Sequence, residues 1–487
     1  MVKLKFPPLS VLDFGQLDAR EEARLSPELL SAGYFDFEQA AYKIAQGTAW
    51  AVVGPKGAGK SASLEHLALQ WDGRSDRFLK RWELASFPVA DITTIRVGAQ
   101  PGPSSTRAAW EFLLLLRLFE SLVSDQGAHL GSGVVGFHKS LVGAGLVGGP
   151  DLRTRFFDWS KTTMRFNVGV LSGESSSTDS EVTALQIVEI LKKAISSIQT
   201  SSRHLLAIDG LDSFFAESES QRESLGSLLD ASYEINSFLR DVGLPCTVLL
   251  AIRHDMFAQV PSTDSAKYGD HTVELDWSCG GTSSGDELWK LVSTKAKASV
   301  PPSFKGLPLG DLRKAYLAEP IGVGPYKNMP SWLLSYTRML PRDLVALMNE
   351  VKRVHKGSGQ LRESEAKIAV RRYCETYFVR EIGNNLSRLI PQGAFKVETL
   401  LDALSAMSSR EFNVRSLQPE IDGLIDQTEL RILLKQMFNV GALGVRRKSG
   451  GKMHTNFVYR RTAGGGFSFI ADYVLHNALV EAWNLNW

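Results

Sequence analysis

The sequence predicts an α/β fold, a parallel sheet with helices on both faces, followed by a helical lid and a C-terminal winged-helix domain. Three stretches predict it. The first is Gly54-Pro-Lys-Gly-Ala-Gly-Lys-Ser61, entered from an apolar run at 50–53 and left through a helical pattern with Leu64, Leu67 and Leu69 as its apolar positions. The second is Arg203-His-Leu-Leu-Ala-Ile-Asp209, and the third is Cys246-Thr-Val-Leu-Leu-Ala-Ile252. Short apolar runs ending in polar residues are what strands of a doubly covered parallel sheet deliver to their C-terminal edge.

Composition sets the bounds. A chain of 487 residues has room for two to four domains. Its 44% hydrophobic and 22% charged content is ordinary for a globular protein, and a net charge of +2 announces neither a nucleic-acid nor a membrane partner. The three cysteines, Cys246, Cys279 and Cys374, are too dispersed for a zinc motif and too few for a disulfide framework. That usage fits a reducing cytoplasm. The start lacks an apolar signal core, and no run reaches the ~18 apolar residues of a membrane span.

In chain order, residues 1–47 read as a helical lead-in, with Asp18-Ala-Arg-Glu-Glu-Ala-Arg24 and Phe35-Asp-Phe-Glu-Gln-Ala-Ala-Tyr-Lys-Ile-Ala45 as its helical text. The core is expected over 48–283. Within it, 87–92 and 94–97 look strand-like, 106–123 strongly helical, and 126–150 either a loop or a glycine-broken helix. Further on, 156–171 suggests a strand or hairpin, 173–179 a loop, and 180–198 an amphipathic helix. A helix at 220–239, a short strand at 272–277 and a helix at 286–297 complete the core and lead out of it. Residues 284–385 form the expected helical lid, where Pro341 suits a first helical turn. Over 386–487, helices at 397–407 and 427–438, strands at 441–446 and 456–461 joined by 448–455, and a closing helix from 471 to 483 spell a winged helix.

The chemistry follows from residue type and position. Gly54, Gly57 and Gly59 let the backbone wrap so that the amides of Gly54, Pro55, Lys56, Gly57, Ala58, Gly59, Lys60, Ser61 and Ala62 (Pro55 excepted) can surround a polyphosphate. The following helix adds its positive end. Lys60 reaches the β- and γ-phosphates and the Ser61 hydroxyl ligates Mg²⁺. Asp209, at a strand end, suits the Mg²⁺ shell, with Asp212 the nearest acid to orient an attacking water. Arg253 either senses the γ-phosphate or pairs with a carboxylate such as Asp255, and Arg342 is placed to face a nucleotide. Between 441 and 462 stand six basic residues and no acid. Of these, Arg446, Arg447, Lys448 and Lys452 are a candidate nucleic-acid patch, against the alternatives of a solvated hairpin or a protein-contacting wing. No guanine-reading N-K-x-D motif appears in the core, so ATP is the expected nucleotide.

Taken together, Gly54 to Ser61, Ile208-Asp-Gly-Leu-Asp212, Arg253, Pro341-Arg-Asp343 and the C-terminal pattern resemble the AAA+/STAND grade of P-loop NTPases. The closer resemblance is to bacterial KAP-type ATPases of antiphage-defence and mobile-element operons. It implies Walker A roles for Lys60 and Ser61, a Walker B role for Asp209, and sensor-like roles for Arg253 and Arg342. One departure stands out: the family's glutamate after the Walker B aspartate is replaced by Gly210. The resemblance thus implies a slow ATPase acting as a nucleotide switch, one that forms a homo-oligomer or controls an effector partner. The alternative is a DNA-binding ATPase similar to origin-recognition proteins.

Overall fold

The computed structural model describes residues 5–83, 103–147, 164–167, 179–182, 184–211, 219–257, 267–278, 285–322, 326, 328–387, 390, 392–421, 423–459 and 466–486. Expected strands at 87–92 and 94–97 lie outside these residues, as does Asp212. The chain divides into two compact units. One comprises Glu38–Lys56 and Lys60–Leu275; the other comprises Met1–Phe37, Gly57–Gly59 and Asp276–Trp487.

The first of these is α/β. Its strands in chain order are β1 (Ala51–Val53), β2 (Arg77–Glu83), β3 (Met164–Asn167), β4 (Asp179–Val182), β5 (Arg203–Asp209), β6 (Cys246–Ile252) and β7 (Thr272–Glu274). Five of them form an all-parallel sheet in the order β2-β5-β6-β1-β7, while β3 and β4 form a separate antiparallel pair. Every residue of β1 and β6 is buried. That explains their largely apolar text, with Thr247 the polar residue in β6, since a strand covered on both faces has no solvent side on which to alternate. Helices Lys60–Trp71, Pro103–Val123, Ala184–Ser196 and Glu219–Asp241 flank the sheet. Trp110 is fully buried, and its indole N–H donates to the Ser224 carbonyl at 3.0 Å. Glu65, on the helix after the glycine loop, accepts both guanidinium arms of Arg81 on β2.

Of the two readings open for 126–150 a helix is present, and one local expectation changes. The glycine-rich stretch after 126 contains a helix at Ser132–Gly143, which buries Val134, Phe137 and Leu141. Residues 180–182, expected to open a helix, belong to β4, and the helix begins at Ala184.

The other unit carries further helices and a four-stranded antiparallel sheet. Its strands are β8 (Glu411–Phe412), β9 (Leu443–Ser449), β10 (Lys452–Asn456) and β11 (Asp472–Leu475), in the order β10-β9-β11-β8. Gly450 and Gly451, at φ +57° and +78°, turn β9 directly into β10. Left-handed values at both central residues define the two-residue turn that matches strand twist. The connection expected over 448–455 is therefore mostly strand. Likewise, the closing helix expected from 471 starts only at Asn477, because residues 472–475 pair with β9 and β8 instead. Helix Pro341–Val354 begins where its proline predicts. A π-helical turn, Cys374–Phe378, interrupts the run of helix from Glu363 to Leu386.

Candidate nucleotide site

The glycine loop sits at the C-terminal end of β1. The first connection leaves β1 for the β2 edge, and the chain later passes from β6 across β1 to β7. The end of β1 is thus close to where the winding changes direction, the position at which open α/β sheets bind ligands. Gly54 N–H still donates to the Ile252 carbonyl at 3.3 Å, which ties the loop's first residue to β6. Gly57 and Gly59 then adopt φ +88° and +106°. A side chain at either would be strained, and a Cβ at Gly59 would project into open space.

Lys60 opens the helix Lys60–Trp71 and is only 5% exposed. Its ammonium donates to the Gly54 carbonyl at 2.9 Å and the Pro55 carbonyl at 3.1 Å, so the charge lies against the loop's own backbone. Ser61 and Ala62 follow in the first helical turn, both partly exposed. A buried cation, left-handed glycines and a helix N-terminus make a donor set suited to a polyphosphate.

Asp209 ends β5 and is 6% exposed. Its carboxylate accepts the Gly210 N–H at 2.8 Å. The register sets Ile208 beside Leu250 of β6 and Ala51 beside the same residue. Asp209 therefore stands two inter-strand spacings from β1, about 10 Å laterally. On its other side its register partner is Glu83, the last residue of β2.

Arg253 directly follows β6 and is buried. Its guanidinium holds Asp255 in two bonds, 2.9 and 2.6 Å. The ion pair weighed as the alternative to phosphate sensing is therefore present, and it fixes the guanidinium one residue beyond the partner of Gly54. Among the described residues no group of three or more His, Cys, Asp or Glu is placed to hold a metal ion. A site for Mg²⁺ on a nucleotide needs no such group, because phosphates and water supply most of its ligands. Ser61 and Asp209 would be the protein's share.

In the other unit, Arg342 occupies the second position of helix Pro341–Val354. Its Nε donates to the Leu17 carbonyl at 2.9 Å, Glu381 lies 3.9 Å from Nη1, and its backbone N–H reaches the Gly57 carbonyl at 3.4 Å. The start of that helix is pinned by a buried ion pair. Arg338 gives Asp343 two side-chain bonds (2.8 and 2.6 Å) and a backbone bond, and Tyr377 of the π-helical turn adds a fourth at 3.0 Å. Burial alone would push the Asp343 carboxyl up, but the Arg338 guanidinium, the Arg338 backbone N–H and the Tyr377 hydroxyl together hold its pKa below the usual range.

In the β9–β10 hairpin, Arg446 pairs with Glu411 and Arg447 donates to the Gly466 carbonyl at 2.6 Å, while Lys448 and Lys452 are exposed.

No protein-family model matches this chain, and no curated protein matches it in sequence.

Two positions emerge only from the folded chain. Trp277 donates its indole N–H to the Ala58 carbonyl of the glycine loop at 2.8 Å. Nothing in its neighbourhood, Leu275-Asp-Trp-Ser278, marks it beforehand. Glu83 escapes because β2 reads Arg77-Phe-Leu-Lys-Arg-Trp-Glu83, too charged to look like a strand next to a buried one.

Proposed function

We propose that the chain binds ATP with Mg²⁺ at residues 54–62 and hydrolyses it slowly, acting as a nucleotide switch. The observation that carries this is the Lys60 ammonium, buried against the carbonyls of Gly54 and Pro55 at the end of a parallel strand. The loop amides orient the phosphates, Lys60 neutralises the β- and γ-oxygens, and Arg253 lies next to the loop's first glycine. Bound Mg²⁺, held by Ser61 and Asp209, would supply further charge neutralisation. Gly210, where a water-activating glutamate is usual in the resembled family, supports slow turnover. A cytoplasmic setting, an oligomeric or effector-bound state and a role in antiphage defence rest on that resemblance.

The test is direct binding of Mg·ATP by the full-length chain. Lys60→Ala is expected to weaken it about a hundredfold, the loss of a charge-assisted contact set. Asp209→Ala is expected to remove mainly the Mg²⁺-dependent part of the affinity. Equal binding by wild type and Lys60→Ala would sink the reading.

A second reading, duplex DNA binding through a winged helix, is favoured by one observation. The exposed β9–β10 hairpin presents Lys448 and Lys452, and no acid lies between 443 and 456. Among the described residues no helix is long and apolar enough to cross a membrane.

A further inference from the structure

The carbonyls of the glycine loop are held by two sets of donors. Lys60 takes those of Gly54 and Pro55. The Gly57 carbonyl accepts the Arg342 backbone N–H at 3.4 Å, and the Ala58 carbonyl accepts the Trp277 indole N–H at 2.8 Å. The indole bond is the shorter and lies in the interior: Trp277 is 4% exposed and Ala58 not at all. Ala58 and Trp277 belong to the same compact unit.

A trans peptide carries its C=O and N–H in opposite directions. Anchoring the Ala58 carbonyl therefore fixes the Gly59 N–H on the far side of that plane. The orientation needs a restraint, because Gly59 at φ +106° has the freedom to rotate that other residues lack. An indole is suited to supply it. Trp Nε1 donates and cannot accept, so a flipped peptide would set two N–H groups against each other. The ring itself is immobilised by Phe37, stacked on it at 4.0 Å and 17°, with Phe35 tilted against it at 6.3 Å. Phe37 is 5% exposed, so this pair is a support and not a surface for a base.

We propose that Trp277 is a positioning residue for the phosphate-binding loop: its indole N–H holds the Ala58 carbonyl away from the phosphates and keeps the Gly59 amide turned toward them. This rests on reading residues 54–62 as the ATP site, and the experiment separates the two claims. Binding of a fluorescent ATP analogue with Mg²⁺ is measured on the full chain for wild type, Lys60→Ala, Trp277→Phe and Trp277→3-benzothienylalanine, a shape-matched ring without the N–H. Melting temperature is recorded without nucleotide. Both Trp277 variants are expected to bind about tenfold more weakly, the scale of one buried hydrogen bond. The isostere should melt like wild type, because its stack on Phe37 is intact. Phe37→Leu, which loosens the stack and leaves the N–H, should lower the melting temperature more than the affinity. Wild-type affinity in the isostere overturns the positioning role and leaves the ATP site standing, even where Trp277→Phe is weakened by poor packing. Binding absent from wild type, or equal in Lys60→Ala, overturns the ATP reading and the proposal with it.

Discussion

His204, near the start of β5, is fully buried between Ser121, 2.9 Å from Nδ1, and Asp125, 3.4 Å from Nε2, with Phe78 stacked on its ring at 4.6 Å. Burial lowers its pKa, opposed by the Asp125 carboxylate. Asp125 is pushed up by burial but held below its usual range by hydrogen bonds from Thr200, Gly127, Ser202 and His204. The cluster resembles a hydrolytic triad in residue type only, because no substrate reaches a histidine with no exposed surface. Its consequence is for stability. A histidine kept neutral in the fold takes up a proton more readily once unfolded, so stability falls as pH drops below about 6.5. Asp125 acts in the same direction at lower pH, its stabilisation being lost as pH falls through its depressed folded pKa. His204→Gln is expected to flatten the loss of urea midpoint between pH 7.5 and pH 5.5. An equally steep loss in the variant would assign the acid sensitivity elsewhere.

At the scale of elements, β2 changes the question of the catalytic base. Its backbone register pairs Glu83 with Asp209 at the C-terminal edge of the sheet, which makes it a second candidate base on the proposed ATPase reading. Asp212 had the claim by proximity in sequence. The strand gives Glu83 a claim by pairing. Glu83→Gln is expected to slow single-turnover ATP hydrolysis at least tenfold, within the range of general-base contributions, and to leave ATP affinity within about twofold. Unchanged hydrolysis there, with loss in Asp212→Asn, would return the role to Asp212. The β9–β10 hairpin carries a second prediction. On the DNA reading, Arg446 and Arg447 are already engaged by Glu411 and Gly466, so the salt-dependent part falls to the exposed lysines. Lys448→Ala and Lys452→Ala should each reduce the slope of log affinity against log salt by about one. A slope unmoved by either removes the hairpin as the DNA contact.

Across the whole molecule, the legible parts were those where local chemistry and tertiary role coincide. β1, β5 and β6 announce themselves because strands covered on both faces carry mostly apolar text, and the glycine loop because its backbone needs left-handed residues at fixed spacing. β2 is illegible in the sequence: Arg77, Lys80 and Arg81 interrupt its pattern, and the partner of Arg81, Glu65, lies on another element. β11 reads as helix in the sequence because its register with β9 is a long-range fact. Trp277 was invisible for the same reason, 219 residues from the carbonyl it holds. The division into two compact units leads to a last prediction. Units with their own cores need not melt together, so calorimetry should resolve two transitions in the absence of nucleotide. Lys60, Ser61, Asp209 and Arg253 all belong to the α/β unit. Mg·ATP at a hundred times its Kd contributes about 2.7 kcal/mol to whatever binds it, which for a unit of this size raises one transition by about 5–10 °C. Lys60→Ala should cancel that shift while leaving both transitions of the nucleotide-free protein in place. A single transition would mean that the two units melt as one, and a shift that survives Lys60→Ala would mean that the glycine loop is not where the nucleotide's binding energy enters the fold.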